Sequence, residues 1–275
     1  MLFRSGRAEA LGSEIVGMVR GISIGDEANA GDMQHLRAGA LLIGTFDPLA
    51  QPQHAQRLAA AGVVLHSLEL LPRTTRAQSM DVLSSMANLA GYKAVLMAAN
   101  VLPRIMPMMT TAAGTLTASK VLVLGAGVAG LQAIATAKRL GAAVEGYDIR
   151  PEVAEQVKSV GGKFVDLGLS GESDKSGYAK AVSEDFLARQ QEALALYVRA
   201  ADVLITTAQV PGRRAPLLVT AAMQKGMKPG SVVVDLAAES GGNCELTEAG
   251  KTVLVDGVTM IGPVNLVSEL AFHAS

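Results

Sequence analysis

The stretch from Lys120 to Asp148 constrains the fold more than any other part of this 275-residue chain. Lys120-Val-Leu-Val-Leu124 is a short apolar run that closes on Gly125-Ala-Gly127-Val-Ala-Gly130, and a helical pattern runs from Val128 to Leu140. A second apolar run, Ala142 to Asp148, ends on a carboxylate 18 residues after the last glycine. Strand, glycine turn, helix, strand and terminal Asp, in that order, describe a βαβ unit suited to a dinucleotide. Gly125 allows the tight turn, Gly127 lets backbone approach a pyrophosphate, and Gly130 lets helix and strand pack closely. The helix N-terminus, with Val128 in its first turn, offers unpaired N–H groups and partial positive charge to phosphates. A carboxylate at Asp148 can accept hydrogen bonds from both ribose hydroxyls and repels a 2′-phosphate, which favours NAD over NADP. Arg150 weakens that exclusion, because a nearby arginine can accommodate the phosphate. A glycine turn kept for packing alone is the competing explanation.

The rest of the chain alternates short apolar runs with longer amphipathic ones, the pattern of an α/β protein with parallel sheets. Ala40 to Phe46 and Val63 to Leu70 are strand candidates flanking a helix from Gln51 to Ala61. A long helix is predicted from Gln78 to Asn100, with apolar positions spaced by three and four. After Asp148 follow a helix from Glu152 to Val160, a strand from Lys163 to Leu167, and a polar loop from Gly168 to Gly177. A helix from Tyr178 to Ala200, the strand Asp202 to Thr207, a helix from Leu217 to Lys225, and strands Ser231 to Leu236 and Thr252 to Ile261 complete the set. This divides the chain into a first lobe (1–100), a linker rich in Pro, Thr and Ser (101–118), a nucleotide lobe (119–265) and the start of a return segment (266–275).

Charge and composition exclude several classes. Lys and Arg number 24 against 25 Asp and Glu, a formal charge of -1, so there is no field for nucleic acid. The single Cys244 excludes a disulfide framework. Charged residues are only 18% and mean hydropathy is +0.32, so membrane insertion has to be checked. The most apolar stretches, Val95 to Met109 and Val121 to Ala137, are both interrupted by Pro, Gly or polar groups and do not read as clean spanning segments. The N-terminus does not read as a signal peptide, which leaves the cytoplasm as the default compartment. His35, His54, His66 and His273 show no metal-ligand spacing, and no metal site is expected.

A second constellation lies at Leu71-Pro-Arg73-Thr-Thr-Arg76-Ala-Gln78-Ser-Met-Asp81-Val-Leu-Ser84. On one helix, Gln78, Asp81 and Ser84 would stand at i, i+3 and i+6 and could line one cleft wall. Capping is an equal alternative, with Thr75 or Gln78 satisfying first-turn N–H groups and Asp81 complementing the dipole. Tyr178, after the polar loop, could swing over a nucleotide or simply pack at a helix start. Gln209 follows the strand ending at Thr207, at the carboxyl end where open α/β sheets bind ligands. Cys244 has no adjacent base in sequence and reads as inert.

Taken together, Pro72-Arg-Thr-Thr-Arg-Ala-Gln-Ser-Met-Asp-Val-Leu-Ser-Ser85, the glycine turn, Asp148-Ile-Arg150, Gly177-Tyr-Ala-Lys180 and Gly241-Gly-Asn-Cys-Glu-Leu-Thr247 resemble motifs of the alpha component of proton-translocating NAD(P) transhydrogenases. That component belongs to the alanine dehydrogenase/transhydrogenase superfamily. The resemblance covers about Leu36 to Asn265. It implies two Rossmann-like lobes, the second complete and the first partial. It also implies NAD(H) bound here, NADP(H) supplied by a partner component, and direct hydride transfer coupled to proton movement in a membrane partner. A homodimer and a cytoplasmic location peripheral to the inner membrane follow from the same likeness. By it, Arg73, Gln78, Ser79, Met80, Asp81 and Ser84 would hold and orient the nicotinamide. Gly125, Gly127, Val128 and Gly130 would take the pyrophosphate, and Asp148, Ile149 and Arg150 the adenosine ribose. Tyr178 would belong to a closing loop and Gln209 to the ring-side wall. Family members carry more chain at both ends, and Val267 and Glu269 stand where Pro and Arg are usual. A first lobe incomplete in this way would expose apolar surface and favour association. An alanine-dehydrogenase-like oxidoreductase, for which Lys93 is the one lysine before the linker, and a non-catalytic nucleotide-binding fragment are the alternatives.

Overall fold

The computed structural model describes residues 6–21, 31–72, 74–169, 183–210 and 212–274, which fall into two compact units, one up to Leu83 and one from Ser84 to Ala274. The fold is α/β with parallel sheets.

The first unit contains α1 (Arg7–Leu11), β1 (Ile15–Arg20), β2 (Leu41–Thr45), α2 (Pro52–Ala60) and β3 (Val64–Ser67). Its three strands are parallel in the order β1-β2-β3, with Ile15 opposite Leu41 and Leu41 opposite Val64. Pro52 opens α2, where a missing N–H costs nothing. Strand alternation sends Val16 and Leu42 into a core with Leu11, Phe46, Leu58 and Val63, while Ile15, Val19 and Val64 on the opposite face stay exposed. A parallel sheet is normally covered on both faces. The Arg7 guanidinium pairs with the buried Asp32 carboxylate through Nε (2.9 Å) and Nη2 (2.5 Å) and holds its pKa below the ordinary range.

In the second unit, α3 (Val82–Val101) precedes an exposed hairpin of β4 (Met109–Thr111) and β5 (Gly114–Leu116), within the stretch expected to be a linker. Then come β6 (Lys120–Leu124), α4 (Val128–Arg139), β7 (Ala143–Tyr147), α5 (Ala154–Ser159), β8 (Lys163–Phe164), α6 (Glu184–Ala200), β9 (Val203–Thr206), α7 (Ala221–Lys225), β10 (Val232–Asp235), β11 (Thr252–Val255), β12 (Val258–Ile261) and α8 (Ala271–Ala274). The sheet order is β11-β12-β10-β9-β6-β7-β8, parallel except for β11. Successive strands run outward from β6 in one direction and from β9 in the other, so the order reverses between these neighbours. That switch point is where doubly wound sheets take ligands.

The central strands are apolar throughout because both faces are covered. Val121, Val123, Val203 and Ile205 pack with Ala133, Ile134 and Ala137 of α4 and with Ala94, Val95 and Ala98 of α3. The intervening Leu122, Leu124 and Leu204 pack with Leu194 and Val198 of α6. By length and composition α3 could cross a membrane. In this unit it buries Gly91, Ala94, Val95 and Ala98, and a Cβ on Gly91 would lie 2.1 Å from the Ala129 carbonyl oxygen.

Three boundaries differ from the periodicity. The expected strand Thr252 to Ile261 is two antiparallel strands, because Asp256 (φ 50°) and Gly257 (φ 80°) make a tight turn between them. Helix α7 starts at Ala221 rather than Leu217, since the Thr220 hydroxyl accepts the Met223 N–H at 3.3 Å and caps it. Helix α6 is likewise capped by Ser183, whose hydroxyl accepts the Phe186 N–H; residues 178–182 of the expected helix lie outside those described.

Candidate functional site

The site is built from the carboxyl ends of β6, β7 and β9. Gly125 follows β6 with φ +95°, a conformation that disfavours side chains; a Cβ there would sit 2.7 Å from Thr207 Oγ1. At Gly130, on the first turn of α4, a Cβ would fall 1.8 Å from the Gly125 carbonyl oxygen. Packing therefore accounts for both. It does not account for Gly127: its φ of −74° and ψ of −165° suit any residue, and a Cβ there would meet nothing within 4 Å. Gly127 is also the N-cap of the twelve-residue α4 and supplies no side chain to its first-turn N–H groups. The beginning of α4 thus presents donors and partial positive charge over an open glycine surface, with the exposed Val128 beside it.

Asp148, just beyond β7, points back into this turn. Its Oδ2 accepts the Ala126 N–H (2.8 Å) and an Arg150 Nη2 (2.8 Å); its Oδ1 accepts the Arg150 backbone N–H and Nε, both at 2.9 Å. The carboxylate is buried, and Ile149 and Arg150 are half-buried. Tyr147, immediately before it, accepts a hydrogen bond from Gln190 of α6 at 2.8 Å, and burial pushes its phenol up. Gln190 Oε1 is buried with no hydrogen-bond partner in the structure.

The loop after β9 is held by groups that sequence reasoning did not single out. Thr207 Oγ1 donates to the Gly125 carbonyl at 3.0 Å, tying the loop to the glycine turn. Ala208 exchanges hydrogen bonds with the Asn243 side chain, its N–H donating to Oδ1 (3.0 Å) and its carbonyl accepting from Nδ2 (2.8 Å). Asn243 is set in turn by Asp235, a fully buried carboxylate at the end of β10. Its oxygens accept from the Thr206 hydroxyl and the N–H groups of Ala237, Asn243 and Cys244 at 2.8–3.0 Å. The one available signal was a charged residue ending the run Val232-Val-Val-Asp235. Gln209 extends from this loop and donates to the Leu236 carbonyl at 2.8 Å. Cys244 is buried; burial first, then the Asp235 carboxylate, raises its thiol pKa well above the ordinary value.

The second constellation is arranged differently from the helical expectation. Gln78, Ser79 and Met80 form a 3-10 turn, Asp81 (ψ 84°) breaks the backbone, and only from Val82 does α3 begin. The residues 78, 81 and 84 therefore do not share a helix face, and Ser84 alone is helical. Short turns from Thr74 to Asp81 consume the backbone, and Asp is a residue type that favours a helix entrance. Gln78 and Asp81 line a polar cavity of about 290 Å³ in the first unit with Glu69, Thr74 and Thr75. Glu69 is fixed by the N–H groups of Phe46 (2.7 Å) and Asp47 (2.5 Å). Ser79 and Met80 are exposed. Arg73 and Tyr178 lie outside the described residues. Among the described residues no group of three or more His, Cys, Asp or Glu could hold a metal ion.

The profile of the alanine dehydrogenase/PNT C-terminal domain matches residues 94–275, and that of the N-terminal domain matches residues 5–90. In Rickettsia prowazekii, the first of the parts into which the NAD(P) transhydrogenase alpha subunit is divided is 44% identical over 264 residues, 96% of this chain and 68% of that protein. Its Rhodospirillum rubrum namesake is 46% identical over 252 residues, 90% of this chain and 66% of the relative. The chain therefore spans about two thirds of their length. The crystal structure of a transhydrogenase from Sinorhizobium meliloti superposes with a TM-score of 0.84 at 45% identity, covering 98% of this chain and 73% of the other.

Proposed function

The chain belongs to the alanine dehydrogenase/PNT family, and from that premise we propose that it is an NAD(H)-binding component of a transhydrogenase. One observation carries the proposal: Gly127 has no packing reason to lack a side chain, yet it stands at the N-terminus of α4 beside a buried Asp148. That combination fits a pyrophosphate and a ribose. Bound NAD(H) supplies the hydride that is exchanged with NADP(H) carried on another component.

The work of this chain is positioning. Gly127 and the first-turn N–H groups from Val128 onward would hold the pyrophosphate, with Gly125 and Gly130 shaping the turn. Asp148 would take the adenosine ribose, with Ile149 and Arg150 beside it. Gln209 would stand on the ring side, on a loop fixed by Asn243. The assignment of Arg73, Gln78, Ser79, Met80, Asp81, Ser84 and Tyr178 to the nicotinamide and its closure rests on the family resemblance. Holding a ring at near-attack distance and excluding water is the protein's share of such a reaction.

In this proposal residues 119–265 are the nucleotide lobe, 101–118 the connection, and 1–100 the first lobe. The bacterial relatives are named as one portion of a divided alpha subunit, which supports further components. These would be an NADP(H)-binding component and a proton-translocating membrane component. The chain would act as a homodimer on the cytoplasmic side of the inner membrane, held there by its partners.

The test is to mix the chain with NADH, an NADP+ analogue and a transhydrogenase NADP(H)-binding component, and to follow reduction of the analogue. Reduction that depends on this chain is expected. NADH binding without hydride exchange would refute the catalytic role, and turnover of pyruvate and ammonia with NADH would replace it with an amino-acid dehydrogenase.

A further inference from the structure

The four hydrogen bonds on Asp148 are of two kinds. The Ala126 and Arg150 N–H groups belong to the backbone of the turn and remain wherever side chains move. The other two come from one guanidinium: Nε donates to Oδ1 at 2.9 Å and Nη2 to Oδ2 at 2.8 Å. A carboxylate has about four lone-pair positions, and here all four are taken. Each oxygen keeps one backbone donor and gives its second position to the arginine fork.

A ribose needs those same two positions. Its vicinal hydroxyls present two adjacent donors, and the guanidinium edge presents two adjacent donors in a similar planar fork. We propose that Arg150 is a built-in stand-in for the ribose diol: it caps Asp148 in the empty site and must release it before a dinucleotide can bind. The inference rests on the nucleotide reading above and adds to it a competitor and a source of specificity.

The physical reason for such a cap is the burial of Asp148. Side-chain exposures are 15% for Arg150 and 6% for Asp148, so the empty site would otherwise hold an uncompensated buried charge. Exchange is complete only for a ligand that returns both donors. A 2′-phosphate returns one fewer and sets negative charge against the carboxylate. Discrimination against NADP(H) therefore arises at the exchange step, with the arginine raising the threshold that any ligand must meet. The sequence suggests the opposite role, an arginine receiving the 2′-phosphate; the geometry places that guanidinium on the carboxylate instead.

The experiment is fluorescence titration of NADH and NADPH into the full chain and its Arg150→Ala and Arg150→Lys variants, with thermal unfolding of each with and without saturating NADH. Arg150→Ala is expected to bind NADH on the order of tenfold more tightly, as one bidentate charge-assisted contact no longer competes. Arg150→Lys, a point donor without the fork, is expected to fall between. NADPH binding should gain less than NADH binding in both variants. The alanine variant should melt lower than wild type when empty and regain the difference when saturated, a readout of a charge uncovered and then covered. Unchanged or weaker NADH binding in Arg150→Ala would overturn the proposal, as would a selective loss of NADPH binding. Absence of binding to wild type and both variants would overturn the nucleotide reading itself and this inference with it.

Discussion

Gly127→Ala separates a ligand-binding glycine from a packing glycine. The backbone there is extended, the added methyl meets no protein atom within 4 Å, and no native hydrogen bond depends on the missing side chain. Stability should therefore hold or rise by about 0.4–1 kcal/mol, through lower entropy of the unfolded chain. Binding should move the other way. A methyl over the first-turn N–H groups of α4 holds a phosphate away from at least one charge-assisted hydrogen bond, worth about 1.5–3 kcal/mol. NADH affinity should then fall roughly 10- to 150-fold. Gly130→Ala gives the converse, because its Cβ would be forced to 1.8 Å from the Gly125 carbonyl oxygen. The second unit should lose at least about 1–3 kcal/mol and lose binding as a consequence. Urea unfolding and NADH fluorescence titration on both variants supply the four numbers. A Gly127→Ala protein of wild-type stability that binds NADH within about twofold of wild type would refute the argument that this surface is open for a phosphate.

Other outcomes follow from the buried charges. Asp235→Asn turns one acceptor oxygen into a donor facing donors already present, and should cost about 3 kcal/mol in urea unfolding; a loss under about 0.5 kcal/mol would contradict the role given to this carboxylate. Cys244, the sole cysteine, should resist thiol reagents in the folded protein and react promptly in denaturant; equal rates would show the thiol to be accessible. Arg7 depresses the pKa of Asp32 below its ordinary value, so the pair's stabilisation is complete above about pH 4 and is lost as pH falls through the lower folded value. Asp32→Asn should therefore flatten the acid limb of the thermal stability profile, and an unchanged acid limb would count against the ion pair.

The nucleotide unit was legible because its evidence is local. The strand, the glycines, the α4 periodicity and the Asp148 position are all contained between Lys120 and Asp148, and the structure reproduces them to within a residue or two. What sequence could not supply was the split among the glycines, since a packing need at Gly125 is defined by Thr207, far along the chain. Asp235 and Asn243 stayed hidden for the same reason: each is specified by partners in other loops. The helix over Gln78 was overextended because helical spacing continues through residues whose backbone is spent in turns ending at Asp81. The Asp256-Gly257 hairpin, by contrast, was readable from the dipeptide and was obscured by the apolar run on either side. In the first unit, β1 escaped notice because Gly17 interrupts a short strand with exposed Ile15 and Val19 on one face. Its pairing with β2 defines it.

The most direct test of the central claim is the binding of NADH and NADPH to the intact chain and to Asp148→Ala, by fluorescence titration at one ionic strength. The account predicts saturable NADH binding that exceeds NADPH binding and that the variant loses. Equal binding of the two nucleotides, or NADH binding that survives removal of the Asp148 carboxylate, would contradict it.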